Sequence, residues 1–146
     1  AERVNNGKIE SQEEKFQRIV HRDTPAYYKF LGMDILEVKS GYAKLTMNCD
    51  PRLANPYGYV NGGFFSILAD AALACALLGM TDDSPTRRLV TIEYKMNLIK
   101  PVKDGSITAE AKVIHLGKET ALGEVDVWDQ QNTMVAKGLI TYSLRY

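Results

Sequence analysis

The longest apolar stretch of the chain runs from Gly62 to Met80, and the segments on either side of it alternate. Before it, MDILEVKSGYAKLTMNCD sets Ala43, Leu45 and Met47 against Lys44, Thr46 and Asn48, the period of two expected of half-buried strands, with a turn at Ser40-Gly41. After it, Val90, Ile92, Tyr94, Met96 and Leu98 alternate with Thr91, Glu93, Lys95 and Asn97 until Pro101 ends the strand. SITAEAKVIHL and ETALGEVDVWD read as two further strands joined through Gly117-Lys118, and a turn from Asp129 to Asn132 leads into a last strand, TMVAKGLITYSLRY. Upstream, Ile9, Phe16, Ile19 and Val20 recur at near-helical spacing with charged residues opposite. Asp23-Thr24-Pro25 reads as a second helix start, with a capping side chain ahead of the proline, and AYYKFLG carries that helix to Gly32. Asn55 to Tyr59, with an Asn-Pro pair and Gly58, reads as a loop. The pattern predicts one α+β domain over residues 1–146, with a helical extension at about 8–31 and an antiparallel sheet of five or six strands curled around a central helix.

That central helix poses a chemical question, because it holds a carboxylate, Asp70, amid apolar residues. An unpaired carboxylate in such a setting costs several kcal/mol, so Asp70 is a structural group bonded to backbone or hydroxyl, a side chain that reaches solvent at a surface of the helix, or an active-site base or nucleophile. Gly62 and Gly63 open the helix. They either let the chain turn tightly or let a ligand approach backbone N–H groups that no helical turn satisfies, where the helix dipole adds positive potential. Asn55 and Asn61 supply amide donors just upstream. From Gly62 to Asp70 is about 12 Å along a helix at 1.5 Å per residue, too far for both to act on one carbon. A shared site therefore needs two subunits with antiparallel helices, across a two-fold dimer interface.

Composition narrows the field. Eighteen basic and eighteen acidic residues give a net charge of zero, which offers no general attraction to nucleic acid. The apolar run has nearly the length of a membrane span, but it is rich in alanine, has no basic flank and carries Asp70 centrally at a cost of roughly 2.5 to 3.5 kcal/mol, so no membrane association is expected. AERVNNGKIESQEEKF has no apolar core of a signal peptide. Cys49 and Cys75 form no CxxC pair and suit a reducing cytoplasm, the expected location. His21 and His115 are too far apart in sequence for a familiar metal-ligand spacing, so no metal is expected.

The pattern N-x-x-G-x-x-N-G-G-x-x-x-x-L-A-D-x-A, at Asn55, Gly58, Asn61, Gly62, Gly63, Leu68, Ala69, Asp70 and Ala72, resembles the hotdog-fold acyl-CoA thioesterases of the PaaI-like group. The resemblance extends to FLGMDILEVKSGYAKLTM, to the strand ending Lys100-Pro101 and to the Gly117-Lys118 turn, covering the chain from about residue 25. It implies a hotdog fold, hydrolysis of an acyl- or aryl-CoA without a cofactor, and a homodimer or a homotetramer built from two dimers. It assigns Asp70 as nucleophile or general base, the Gly62 N–H as the group that polarises the thioester carbonyl, and Asn55 as a ligand of the carbonyl or the attacking water. Asn61, Gly63, Thr91 near the aspartate and Lys118 near the nucleotide phosphates complete the implied substrate-binding set. On residue type alone, Thr91 reads first as a β-branched strand residue and Lys118 as a solvated hairpin lysine. Asn61 departs from the family, where most members have His before Gly-Gly; Asn hydrogen-bonds but does not titrate near neutral pH. The alternative to an enzyme is a hotdog module that binds CoA esters without turnover.

Overall fold

The computed structural model describes residues 9–82 and 88–145. Its centre is helix α3, Gly62–Leu78, and its body is one six-stranded antiparallel sheet made of β1 (Met33–Lys39), β2 (Tyr42–Asn48), β3 (Val90–Leu98), β4 (Ser106–Leu116), β5 (Thr120–Asp129) and β6 (Met134–Ser143). The strand order is β1-β2-β4-β5-β6-β3, the sheet of the hotdog fold wrapped around its helix. Leu45, Met47, Ala109, Val125, Val127, Ala136 and Ile140 form its buried inner face. They meet Leu68, Ala69, Ala72, Leu73 and Ala76 of α3. The alanines keep the helix thin enough for a curved sheet to close on it. At Gly123 of β5 the approach is so close that a Cβ would run into the Leu73 side chain.

The helical extension forms as α1 (Gln12–Arg18), a π-helical turn over Ile19–Asp23 and α2 (Ala26–Phe30). A reciprocal capping box between Ser11 and Glu14 starts α1, so Ile9 lies ahead of the helix and 82% exposed rather than on its apolar face. The expected side-chain cap of α2 is absent: Pro25 is the N-cap, and the Thr24 hydroxyl instead donates to the Ile19 carbonyl at 2.6 Å. Arg18 ties the extension down, bonding Glu10, Asp23 and the Thr81 carbonyl just beyond α3.

The two faces of α3 are treated differently. Phe65, Leu68, Leu73 and Leu77 are buried, whereas Ile67 is 37% exposed and Asp70 is half-buried. The helix is thus covered by its own sheet on most sides and left partly open along the line that carries the carboxylate. Strand β3 borders this opening as an edge strand, with β6 as its one partner among the described residues. Its apolar side chains are open too, Ile92, Tyr94 and Leu98 each being more than half exposed.

Candidate active site

Local sequence builds the first half of the site. The Asn55 side-chain oxygen accepts from the N–H groups of Tyr57 at 2.9 Å and Tyr59 at 3.1 Å, and its own N–H donates to the Tyr59 carbonyl. The loop folds around it. Val60 then donates to Val102, Asn61 donates through its backbone to Leu53, and α3 begins. Asn61 is its N-cap: the side-chain oxygen accepts the Gly63 N–H at 2.9 Å, and the Asn61 carbonyl accepts that of Phe64 at 3.0 Å. Of the first three N–H groups of the helix, only that of Gly62 has no acceptor among the described residues. It opens on a cleft of about 270 Å³ lined by Asn55, Tyr59, Gly62, Phe65, Leu98 and Pro101. A Cβ at position 62 would meet Leu98 Cδ1, the end of a half-exposed side chain that would have to turn aside.

The second half depends on tertiary structure. Asp70 Oδ1 accepts a hydrogen bond from Thr91 Oγ1 at 2.7 Å and another from the Tyr142 hydroxyl at 2.7 Å. Thr91 and Tyr142 are direct cross-strand partners on β3 and β6. Strict alternation along β3 sets Thr91 on the opposite face from Tyr94, Met96 and Leu98. A bulge between Thr91 and Glu93 corrects this, adding one residue and turning Thr91 to the helix side. Asp70 Oδ2 has no hydrogen-bond partner among the described residues. Burial of the Tyr142 ring, and the Asp70 charge beside it, hold the phenol well above its ordinary pKa, so it remains a donor.

The implied residues thus fall into three places. Asn55, Asn61, Gly62 and Gly63 gather at the start of α3; the Gly63 N–H is spent on the cap, which leaves Gly62 as the donor of the pair. Asp70 and Thr91 meet further along the helix. Lys118 is exposed in the turn after β4, at the end of the sheet where Thr120 pairs with Ser143 and Ser143 with Val90, whereas Gly62 lies beneath Leu98 at the other end of β3. One chain does not bring Lys118 to the cleft. Tyr142 is absent from the sequence-derived set, although one signal pointed to it: β6 directs Ala136, Gly138, Ile140 and Tyr142 inward, and the hydroxyl at the end of that row needs a buried partner. Cys75 is buried, its thiol pushed up to about 11 by that burial, and it takes no part in the site.

A helix embraced by a six-stranded antiparallel sheet is the arrangement of a hotdog protein, here with an N–H at the first turn that has no acceptor among the described residues and a carboxylate on the open side of the helix. Residues 57–136 match the family described as the Thioesterase superfamily, and the chain belongs to it, a thioester hydrolase by class. It is 30% identical to the acyl-coenzyme A thioesterase PaaI of Escherichia coli over 78% of this chain and 79% of that one. It is 24% identical to the 1,4-dihydroxy-2-naphthoyl-CoA hydrolase of Listeria monocytogenes over 79% of this chain and 92% of the other. The solved structure of the E. coli PaaI protein, from the phenylacetic acid degradation operon, superposes with a TM-score of 0.82 at 27% identity, covering 93% of this chain and 97% of that one.

Proposed function

We propose that the chain hydrolyses acyl- or aryl-CoA thioesters to free acid and CoA, at sites shared between two copies. The observation that carries this reading is the pair of open groups on one helix, a Gly62 N–H without an acceptor and an Asp70 carboxylate with one oxygen held and the other open. The Gly62 N–H stabilises the oxyanion that forms when the thioester carbonyl is attacked, an effect worth roughly 3 to 4 kcal/mol in measured oxyanion holes. Asp70 either attacks the carbonyl, forming an anhydride that water then opens, or takes a proton from the attacking water; in both routes the C–S bond breaks and the CoA sulfur leaves as thiolate and is protonated. These groups and water complete the reaction, so the reading assigns no cofactor. Two relatives point to the substrate class by name, one an acyl-CoA thioesterase and the other a hydrolase of an aromatic CoA ester.

Two observations support a shared site. Gly62 and Asp70 are separated by about 12 Å of helix. Beside them, β3 offers a nine-residue edge with exposed Val90, Ile92, Tyr94 and Leu98, a surface that a monomer would leave as an aggregation hazard and that a second copy of the strand would cover. The minimal active unit is then a homodimer, which two-fold pairing can extend to a tetramer. The acyl group enters the apolar space between the two α3 helices, and CoA lies along the surface.

The test is release of free thiol from a panel of acyl- and aryl-CoA esters, run beside Asp70→Asn. The amide is nearly isosteric, so fold and binding persist while turnover falls at least about a hundredfold. Parental turnover in Asp70→Asn would make Asp70 a structural carboxylate. Saturable binding of CoA esters with no thiol release in the parent would make the chain a binding module.

A further inference from the structure

We propose that Tyr142 is a positioning residue of the hydrolytic site, acting with Thr91 to lock Oδ1 of Asp70 and present Oδ2 as the reacting oxygen. The inference rests on the reading of Asp70 as nucleophile or base, and deepens it. The Tyr142 hydroxyl lies 2.7 Å from Asp70 Oδ1 and 3.0 Å from the Asp70 backbone carbonyl. It has one proton to give, and a charged carboxylate oxygen is the stronger acceptor. Thr91 Oγ1, also at 2.7 Å, spends its only proton on the same atom. Two hydroxyls on one oxygen do more than satisfy a half-buried charge. They approach Oδ1 from two adjacent strands and so fix both the rotation of the carboxylate and the identity of the oxygen left over. The supports are themselves fixed: Tyr142 is 3% exposed, and the β3 bulge holds Thr91. A carboxylate with free rotation would offer either oxygen in any orientation, and misplacement of a reacting atom by about 1 Å can cost as much as a hundredfold in rate.

The experiment is Tyr142→Phe, which keeps the buried ring and deletes the donor. Expected is a kcat lower by about tenfold or more with KM within about twofold, since substrate does not touch the phenol. The discriminating arm is the same substitution in the Asp70→Asn background. There the residual rate no longer passes through a carboxylate, and Tyr142→Phe changes it by less than about twofold. Thr91→Val, which removes the other donor, repeats the pattern and stands in should Tyr142→Phe lose thermal stability. A Tyr142→Phe kcat within twofold of the parent, or an equal fold-loss in both backgrounds, overturns the proposal. Those outcomes leave the function reading intact as long as Asp70→Asn alone lowers turnover at least about a hundredfold. If Asp70→Asn retains parental turnover, that reading fails instead, whatever Tyr142 does.

Discussion

The two halves of the site are made of opposite materials. At the start of α3 the proposed working group is a main-chain N–H, uncharged and set by residues close in sequence: Asn55 shapes the loop, Asn61 caps the helix and takes the Gly63 N–H, and Gly62 is left over. Eight residues on, the proposed working group is a side-chain carboxylate that accepts hydrogen bonds from hydroxyls on β3 and β6, more than twenty and seventy residues away in sequence. The first half is held by the Asn61 cap, and it tolerates exposure because a polarised N–H is at home in water. The second half needs shelter and support, because a carboxylate is catalytically useful only when its orientation is fixed. Each half therefore fails in its own way.

Breaking the first half requires removing the N–H itself, and the backbone allows it. Gly62 is the first helical residue, where proline is tolerated, and Asn61 already has the extended conformation (φ −60°, ψ 133°) that precedes a proline. Gly62→Pro should therefore fold with α3 intact and lose about 100- to 1,000-fold in kcat, the cost of one oxyanion donor. Gly62→Ala keeps the N–H and adds only the Cβ that meets Leu98, a half-exposed side chain with room to turn aside, so its loss should be about tenfold or less. Circular dichroism checks the fold and thiol release the rate. Equal losses in the two variants would mean that crowding against Leu98, not the N–H, explains the glycine.

The same contrast accounts for what could be read from the sequence. The helix-start half was legible in the order Asn55, Asn61, Gly62, Gly63 because capping and N–H exposure are local matters, decided within one turn. The strands were legible from alternation, and α3 from its unbroken apolar run. The support of Asp70 was not. Alternation placed Thr91 on the wrong face, because the β3 bulge leaves no mark in the apolar pattern. Tyr142 became its neighbour only through the β3–β6 pairing, a register that the sequence does not display. The same distance misled the expectation for α3: a helix apolar all round predicts full burial, yet the Ile67–Asp70 side is left open by the sheet.

If each half belongs to a different copy of the chain, two inactive variants can repair one another. A Gly62→Pro chain supplies an intact Asp70, and an Asp70→Asn chain supplies an intact Gly62. Equal co-refolding gives mixed dimers in about half the population, each with one complete site of two, so about a quarter of parental turnover should return. A mixture no more active than its components places both halves in one chain. A monomer that retains full turnover at assay concentration, by light scattering, would reach the same conclusion independently.

The smallest effect is expected at Asn61, where this chain has an amide in place of the histidine found in most PaaI-like proteins. The geometry gives the amide a definite role, since its oxygen accepts the Gly63 N–H and so leaves the Gly62 N–H as the free donor at the helix start. Asn61→Ala deletes the cap, costing about 1 kcal/mol of stability and loosening the first turn, with weaker substrate positioning as the consequence. Asn61→His tests whether anything beyond capping is at stake. If position 61 only orients the helix end and the thioester, turnover should stay within about twofold of the parent, because the proposed mechanism already takes its nucleophile or base from Asp70 and its oxyanion contact from Gly62. A rise of about tenfold or more, with a new pH dependence near the imidazole pKa of roughly 6.5, would show that a proton donor at 61 speeds the reaction. The helix-start half would then carry proton transfer as well as charge stabilisation, and the division between a backbone half and a titrating half would no longer hold.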